Sequence, residues 1–311
     1  RLMRELALSA RARGAVVLAG RGREERIPYG PWVELLREYV GETPGEILRR
    51  MLSGSGSEFA RLVPDIVAKI GTVPPSKPLA EEQDRIRLYE AVTQFLISIC
   101  NEKPLVLLLD DMHWADHASL GLLEHFVMGS GNFRVLTLVG YRTEDVSTDS
   151  PLSKTLMKLN RERLLETVSA RNLTIEETVE FVKLIFGEQS ISSEFGDLIY
   201  HKTGGNPFFL EEILRSLVED GTVFRTEKGW DRKPIQELAV PNTVKTILKS
   251  RLSKIDTETL NVLVLASVIG SEFDFEVLRE VTQISEDKLL ERLETGLASG
   301  LVCEPGQRGL F

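Results

Sequence analysis

Cysteine is nearly missing from this chain: Cys100 and Cys303 are the only two, far apart in sequence. Two distant thiols build neither a disulfide framework nor a cysteine-rich zinc site. Long hydrophobic runs are missing too. The most apolar stretches, Leu105–Leu109 and Leu260–Gly270, are far too short to span a bilayer. Positive charge is in deficit, with 38 Lys and Arg against 47 Asp and Glu and a net charge of −9 with neutral histidines. That balance argues against a main task of binding phosphate backbones non-specifically. No signal-peptide pattern, internal repeat or low-complexity tract is read in these residues. The chain opens on Arg1 and stops at Phe311 inside an apolar pattern, which reads as a cytoplasmic segment of a longer polypeptide. What is present is globular: 42% hydrophobic and 27% charged over 311 residues, enough for two or three domains.

The first third alternates helical and strand-like patterns. Leu2, Leu6 and Ala10 recur at helical spacing up to Gly14, and Ala15–Ala19 reads as a short buried strand. Pro31, Trp32, Leu35, Leu36 and Tyr39 predict a helix with proline in its first turn. Residues 41–80 are irregular around a helix expected over 59–70. A stronger helix follows, with Ile86, Tyr89, Val92, Leu96 and Ile99 on one face. Leu105–Leu109 is apolar at every position, the pattern of a strand covered on both faces. A helix over 117–128 capped by Asp116, a strand within Phe133–Tyr141 and a weaker strand over Leu164–Ala170 complete a doubly wound α/β reading. Beyond Leu173, helices are expected at 174–186, 192–203 and 207–219, then a hairpin over 222–231. A helical block opens at Pro241, with helices near 257–269, 274–282 and 285–299. A final hairpin would begin after Leu301. Three helices and a hairpin outline a winged helix.

The stretch richest in chemistry is Leu105–Asp116, LVLLLDDMHWAD. It sets two carboxylates at the carboxyl end of a buried strand, the edge where ligands bind in open α/β sheets. In nucleotide hydrolases the first acid holds Mg²⁺ and a second polarises the attacking water. Neighbouring strand residues point to opposite sides, so Asp110 and Asp111 need not share one role. Read alone, the same string also fits a strand that ends in a solvated turn.

LLLDDMHWAD resembles the acidic strand motif of signal-transduction ATPases with numerous domains (STAND), a branch of the AAA+-type P-loop NTPases. The resemblance extends over nearly the whole chain. Arg1–Gly14 is similar to the helix that follows the phosphate-binding loop, and PWVELLREY at Pro31–Tyr39 to the family's second helix. Val139–Thr143 is similar to the strand end bearing a phosphate-sensing arginine. Gly204–Glu212 (GGNPFFLEE) resembles the Gly-x-Pro element of a helical lid, and Leu238–Leu252 the start of a winged-helix domain. The implied division is an α/β ATPase core over 1–170, an all-α lid with a small hairpin over 171–237, and a truncated winged helix over 238–311. No G-x-x-x-x-G-K-[ST] string occurs, so the phosphate cradle, its lysine and the hydroxyl that binds Mg²⁺ are not encoded here. The strand missing with them is the central one of the family's five-stranded sheet. Its neighbours would carry unpaired backbone groups beside the gap. On its own this stretch is expected to bind ATP poorly and to be unstable.

The resemblance assigns Asp110 to Mg²⁺ and Asp111 to the water, with the reverse assignment open. Arg142 is assigned to sensing the γ-phosphate, through guanidinium pairing with phosphate oxygens. The alternative is a surface arginine in a loop with Glu144 and Asp145. Gly205, Asn206 and Pro207 are assigned to the base. Pro207 packs on adenine and Gly205 permits close approach, while Asn206 and Pro207 also suit a plain helix start. Phe208 and Phe209 are expected in the core. His113, His117 and His125 have no acid or cysteine spaced for zinc. Trp114 is expected under the acidic loop, and the run Arg21, Arg23, Glu24, Glu25 and Arg26 in a solvated loop.

The whole implies an ATP/ADP- and Mg²⁺-dependent regulatory switch, with ATP held between core and lid and self-association following exchange of ADP for ATP. Sensor and effector domains of the same longer chain are the implied partners, the effector being a DNA-binding domain, a cyclase or a kinase. The text from Glu212 to Val244 leans toward cyclase-linked or LuxR-type regulators. An origin-initiator-like DNA-binding ATPase and a non-catalytic scaffold are the alternatives. The acidic helix over 285–294 argues against direct nucleic-acid binding.

Overall fold

The computed structural model describes residues 2–71, 73, 79–187, 193–226, 229–233, 245, 249, 252–253, 255–270, 273–299 and 301–302. They fall into two compact units that divide between Thr167 and Val168.

The first unit is α/β. Its three strands, β1 (Val16–Arg21), β2 (Leu105–Asp110) and β3 (Val135–Val139), are all parallel in the order β1-β2-β3. The register runs Val16↔Leu105↔Val135 at one end to Gly20↔Leu109↔Val139 at the other. β2 lies in the middle, and its alternation explains its unbroken apolar text. Leu105, Leu107 and Leu109 enter the large core, while Val106 and Leu108 enter a smaller one on the opposite face. Burying each such side chain contributes about 1.5–3 kcal/mol.

Helices cover both faces. The amphipathic α1 (Leu2–Ala12) sets Ala7 with Val17, Val106 and Leu108. The larger core is built from α2 (Gly30–Glu42), α6 (Glu81–Glu102) and α7 (His117–Gly129). Trp32 of α2 is fully buried, donates from Nε1 to the Ser119 carbonyl at 3.0 Å and meets Phe126 edge-on. In α6 the buried face runs through Leu88, Val92, Phe95, Leu96 and Ile99, and Ile86 is exposed.

Three short helices, α3 (Gly45–Met51), α4 (Gly56–Leu62) and α5 (Ile66–Ile70), occupy the stretch between α2 and α6. The single helix expected over 59–70 is therefore two, broken at Val63-Pro64, since proline disfavours helical backbone in the residue before it. A further helix, α8 (Pro151–Arg161), follows β3. The weak strand expected over Leu164–Ala170 forms no ladder. β3 is an edge strand, paired with β2 on one side and with no described strand on the other.

In the second unit α9 (Ile175–Phe186), α10 (Ser193–Thr203) and α11 (Pro207–Glu219) share a core around Val182, Phe195, Ile199 and Leu214. The antiparallel β4 (Val223–Thr226) and β5 (Gly229–Arg232) add Val223 and Trp230 to it. α12 (Thr257–Ile269), α13 (Phe275–Thr282) and α14 (Glu286–Ala298) build a separate cluster around Leu278, Leu289 and Leu293. Most of the helix expected from Pro241 and nearly all of the hairpin expected after Leu301 lie outside the described residues. Among those described, no helix is long and apolar enough to cross a membrane.

Candidate functional site

The chain turns sharply where β2 ends. Asp111 adopts left-handed backbone, φ 50° and ψ 37°, a conformation aspartate tolerates better than most residues. A single 3₁₀ turn over Met112–Trp114 follows. Met112 is fully buried, and its N–H donates to the Gly140 carbonyl at 2.9 Å, which pins the turn to the end of β3. Asp116 then opens α7. Its Oδ1 accepts from the N–H groups of Ala118 at 2.9 Å and Ser119 at 3.0 Å, and its Oδ2 from the Tyr29 N–H at 3.2 Å. The expected cap is present and also ties α2 to α7.

The two acids part company at this turn. Asp110 is exposed at the carboxyl edge of the sheet, beside Gly140. A Cβ at position 140 would fall 2.5 Å from Asp110 Oδ1, so a larger residue there would turn the carboxylate aside. Asp111 is held from β1, with its side chain only 10% exposed. Its Oδ2 accepts from Arg21 Nε at 2.6 Å and also meets Arg21 Nη2. The hydrogen bond and the adjacent charge raise the Arg21 guanidinium above its ordinary pKa. Arg21 is thus not part of a solvated loop. It closes β1 opposite Asp110 in register and binds Asp111. Sequence spacing could not join residues that are 90 positions apart; the parallel register does.

Arg142 lies two residues beyond Gly140, on the same edge of the sheet. Its guanidinium carbon stands 5.9 Å from the centre of the Trp114 ring, and Nη1 is 3.9 Å from Asp145 Oδ2. Half of its side chain is exposed, so it is free to reach an anion. Its backbone N–H donates to His113 Nδ1 at 3.5 Å, and the His113 ring lies 4.6 Å from that of Trp114. Asp110, Asp111 and Arg142 are therefore brought onto adjacent strand ends, without direct contact between the acids and Arg142. A groove of about 660 Å³ beside the turn is walled in part by Arg21, Pro31, Trp114 and Asp116. Neither Asp110 nor Arg142 lines it.

Gly205, Asn206 and Pro207 belong to the second unit. Gly205 has φ +68°, and a Cβ there would fall 1.9 Å from the Leu173 carbonyl oxygen. The close approach it permits is to Leu173, whose N–H donates to the Gly205 carbonyl at 2.9 Å. Asn206 caps α11, its Oδ1 accepting from the Phe208 N–H at 3.0 Å, with Pro207 in the first turn. Phe208, expected in the core, is 44% exposed, because the buried face of α11 runs through Leu210, Ile213, Leu214 and Leu217.

Among the described residues no three His, Cys, Asp or Glu side chains gather as a metal cage. One exposed carboxylate, whose Oδ1 also accepts the Asp111 N–H at 3.0 Å, still suits Mg²⁺, which retains most of its water and takes one or two carboxylates beside phosphate oxygens. Asp110 meets that requirement and Asp111, engaged by Arg21, meets it less well.

Residues 1–138 match the family described as the AAA ATPase domain. Two curated relatives are signalling proteins by name. The chain is 29% identical over 109 residues to hybrid signal transduction histidine kinase G of Dictyostelium discoideum, covering 34% of this chain and 3% of that protein. It is 22% identical over 236 residues to the peroxide stress-activated histidine kinase mak3 of Schizosaccharomyces pombe, covering 72% of this chain and 10% of that protein. The chain thus spans a small fraction of either relative. A solved structure of the RuvB Holliday junction branch migration motor of Thermotoga maritima aligns over 99% of this chain and 88% of that one, at 16% identity and a TM-score of 0.31. That likeness is too slight to carry an argument.

Proposed function

We propose that this chain is the nucleotide-responsive part of a signalling ATPase, of the kind resembling signal-transduction ATPases with numerous domains. ATP in place of ADP would promote self-association and pass the signal to other parts of the protein. The observation that carries the reading is the open Asp110 carboxylate at the carboxyl edge of a parallel AAA ATPase-type sheet, with Arg142 on the next strand end. The names of the two histidine kinase relatives support a signalling context.

Asp110 would orient the water shell of Mg²⁺, and the ion would offset the charge of the β- and γ-phosphates. Arg142 would report the γ-phosphate by pairing with its oxygens. Asp111 would polarise the attacking water, yet its carboxylate is engaged by Arg21. That engagement favours slow turnover, with nucleotide state mattering more than rate. In the second unit, Pro207 would pack on the adenine beside Gly205 and Asn206.

Sedimentation of the protein expressed from its complete reading frame tests this. A larger species with ATP than with ADP is expected, and Arg142→Gln should abolish the difference. Identical profiles with both nucleotides would reject the switch.

A further inference from the structure

We propose that Arg142 and His113 compete for Asp145, so that an anion recruiting Arg142 leaves that carboxylate to His113. This rests on the reading of Arg142 as the phosphate-sensing residue.

One oxygen serves both groups. Asp145 Oδ2 is 3.4 Å from His113 Nε2 and 3.9 Å from Arg142 Nη1. Neither distance is that of a tight hydrogen bond, so the carboxylate is divided between them. The His113 side chain is only 1% exposed, and its Nε2 has no hydrogen-bond partner. A buried polar nitrogen in that condition is costly. Nδ1 accepts the Arg142 backbone N–H at 3.5 Å, and Nε2 is the nitrogen aimed at Asp145. A movement of about half an ångström by Asp145 would complete a normal bond there.

Arg142 has no comparable anchor. Its guanidinium rests near the outer limit of cation–π distance from Trp114, with half the side chain in solvent. A phosphate oxygen therefore has only a weak exposed pairing to displace. The carboxylate given up by Arg142 then satisfies His113. Asp145 acts as a positioning residue: it holds Arg142 back, and its transfer to His113 offsets the loss of the first pair.

The test measures ATP and ADP affinities of the protein expressed from its complete reading frame, with Asp145→Asn, Arg142→Gln and the double variant. Asp145→Asn should tighten ATP about twofold to fivefold, the range an exposed ion pair allows, and leave ADP unchanged. The tightening should vanish in the Arg142→Gln background. His113→Leu should reduce the preference for ATP over ADP, because Asp145 then has only Arg142 to return to. Unchanged ATP affinity in Asp145→Asn, an equal change for ADP, or tightening that persists without Arg142 would each overturn the competition. If Arg142→Gln alone leaves the preference for ATP intact, the sensing role itself fails, and the competition falls with it.

Discussion

Replacing Arg21 with methionine removes the guanidinium that grips Asp111 and leaves a carboxylate with only 10% of its side chain exposed. Hydrogen bonds to charged groups contribute about 1.5–3 kcal/mol each. The Arg21 side chain is 60% exposed, so water replaces part of what is lost, and the expected cost falls to about 1–2 kcal/mol. For a unit of this size that lowers the melting temperature by roughly 3–6 °C. Differential scanning calorimetry would read it. Arg21→Lys keeps the charge and loses the two-nitrogen grip, so it should fall between wild type and Arg21→Met. The double variant Arg21→Met/Asp111→Asn should recover more than half of the loss, because the stranded charge is removed with its partner. If Arg21→Met melts like wild type, or if the double variant loses as much as the two single variants summed, the pairing does not hold the turn in place.

Further outcomes follow from neighbouring positions. Gly140→Ala would set a Cβ 2.5 Å from Asp110 Oδ1 and 2.8 Å from Met3 Cε. The carboxylate must then swing away, and nucleotide binding in the complete protein should lose much of its response to magnesium; an unaltered magnesium titration would separate Asp110 from the metal. Asp116→Ala strips the cap of α7 and the acceptor for the Tyr29 N–H, and should cost about 1–2 kcal/mol in urea unfolding. A loss within experimental error would show the cap to be idle. In the second unit, Glu177 is held down at about 2 from an ordinary 4.5, first by the Arg171 hydrogen bonds and then by the Thr174 N–H. A depressed carboxylate supports the fold above its ordinary value and loses that support as pH falls through its folded value. Glu177→Gln should therefore be less stable than wild type near neutrality, and the two should converge as pH falls from 4.5 toward 2. A gap of constant size would contradict the pairing.

The central strand could be read from Leu105–Leu109 alone, because burial on both faces requires an apolar residue at every position. Asp116 as a cap and the helices α9 and α11 were equally legible, since their signals are local. α8 was missed although Ser150 caps it and Leu152, Thr155 and Leu159 recur at helical spacing. Only three of its eleven residues are buried, and its text is mostly polar. Leu164–Ala170 has strand-like composition without a strand, because propensity does not supply a ladder partner. Near the end of β2, a contiguous motif and a strand end single out the acids and Arg142, and the structure sets them on adjacent strand ends. The Arg21–Asp111 pair and the carboxylate shared by His113 and Arg142 were not legible. They depend on parallel register and on which way a left-handed turn points its side chains, and neither is written in local sequence.

The central claim is that Asp110 faces a magnesium–nucleotide complex at the end of β2. ATP titration of the protein expressed from its complete reading frame, with and without magnesium, tests it in wild type and Asp110→Ala. Wild type should bind ATP more tightly with magnesium, and Asp110→Ala should lose most of that gain while melting at a similar temperature. Equal magnesium dependence in the two proteins would contradict the account.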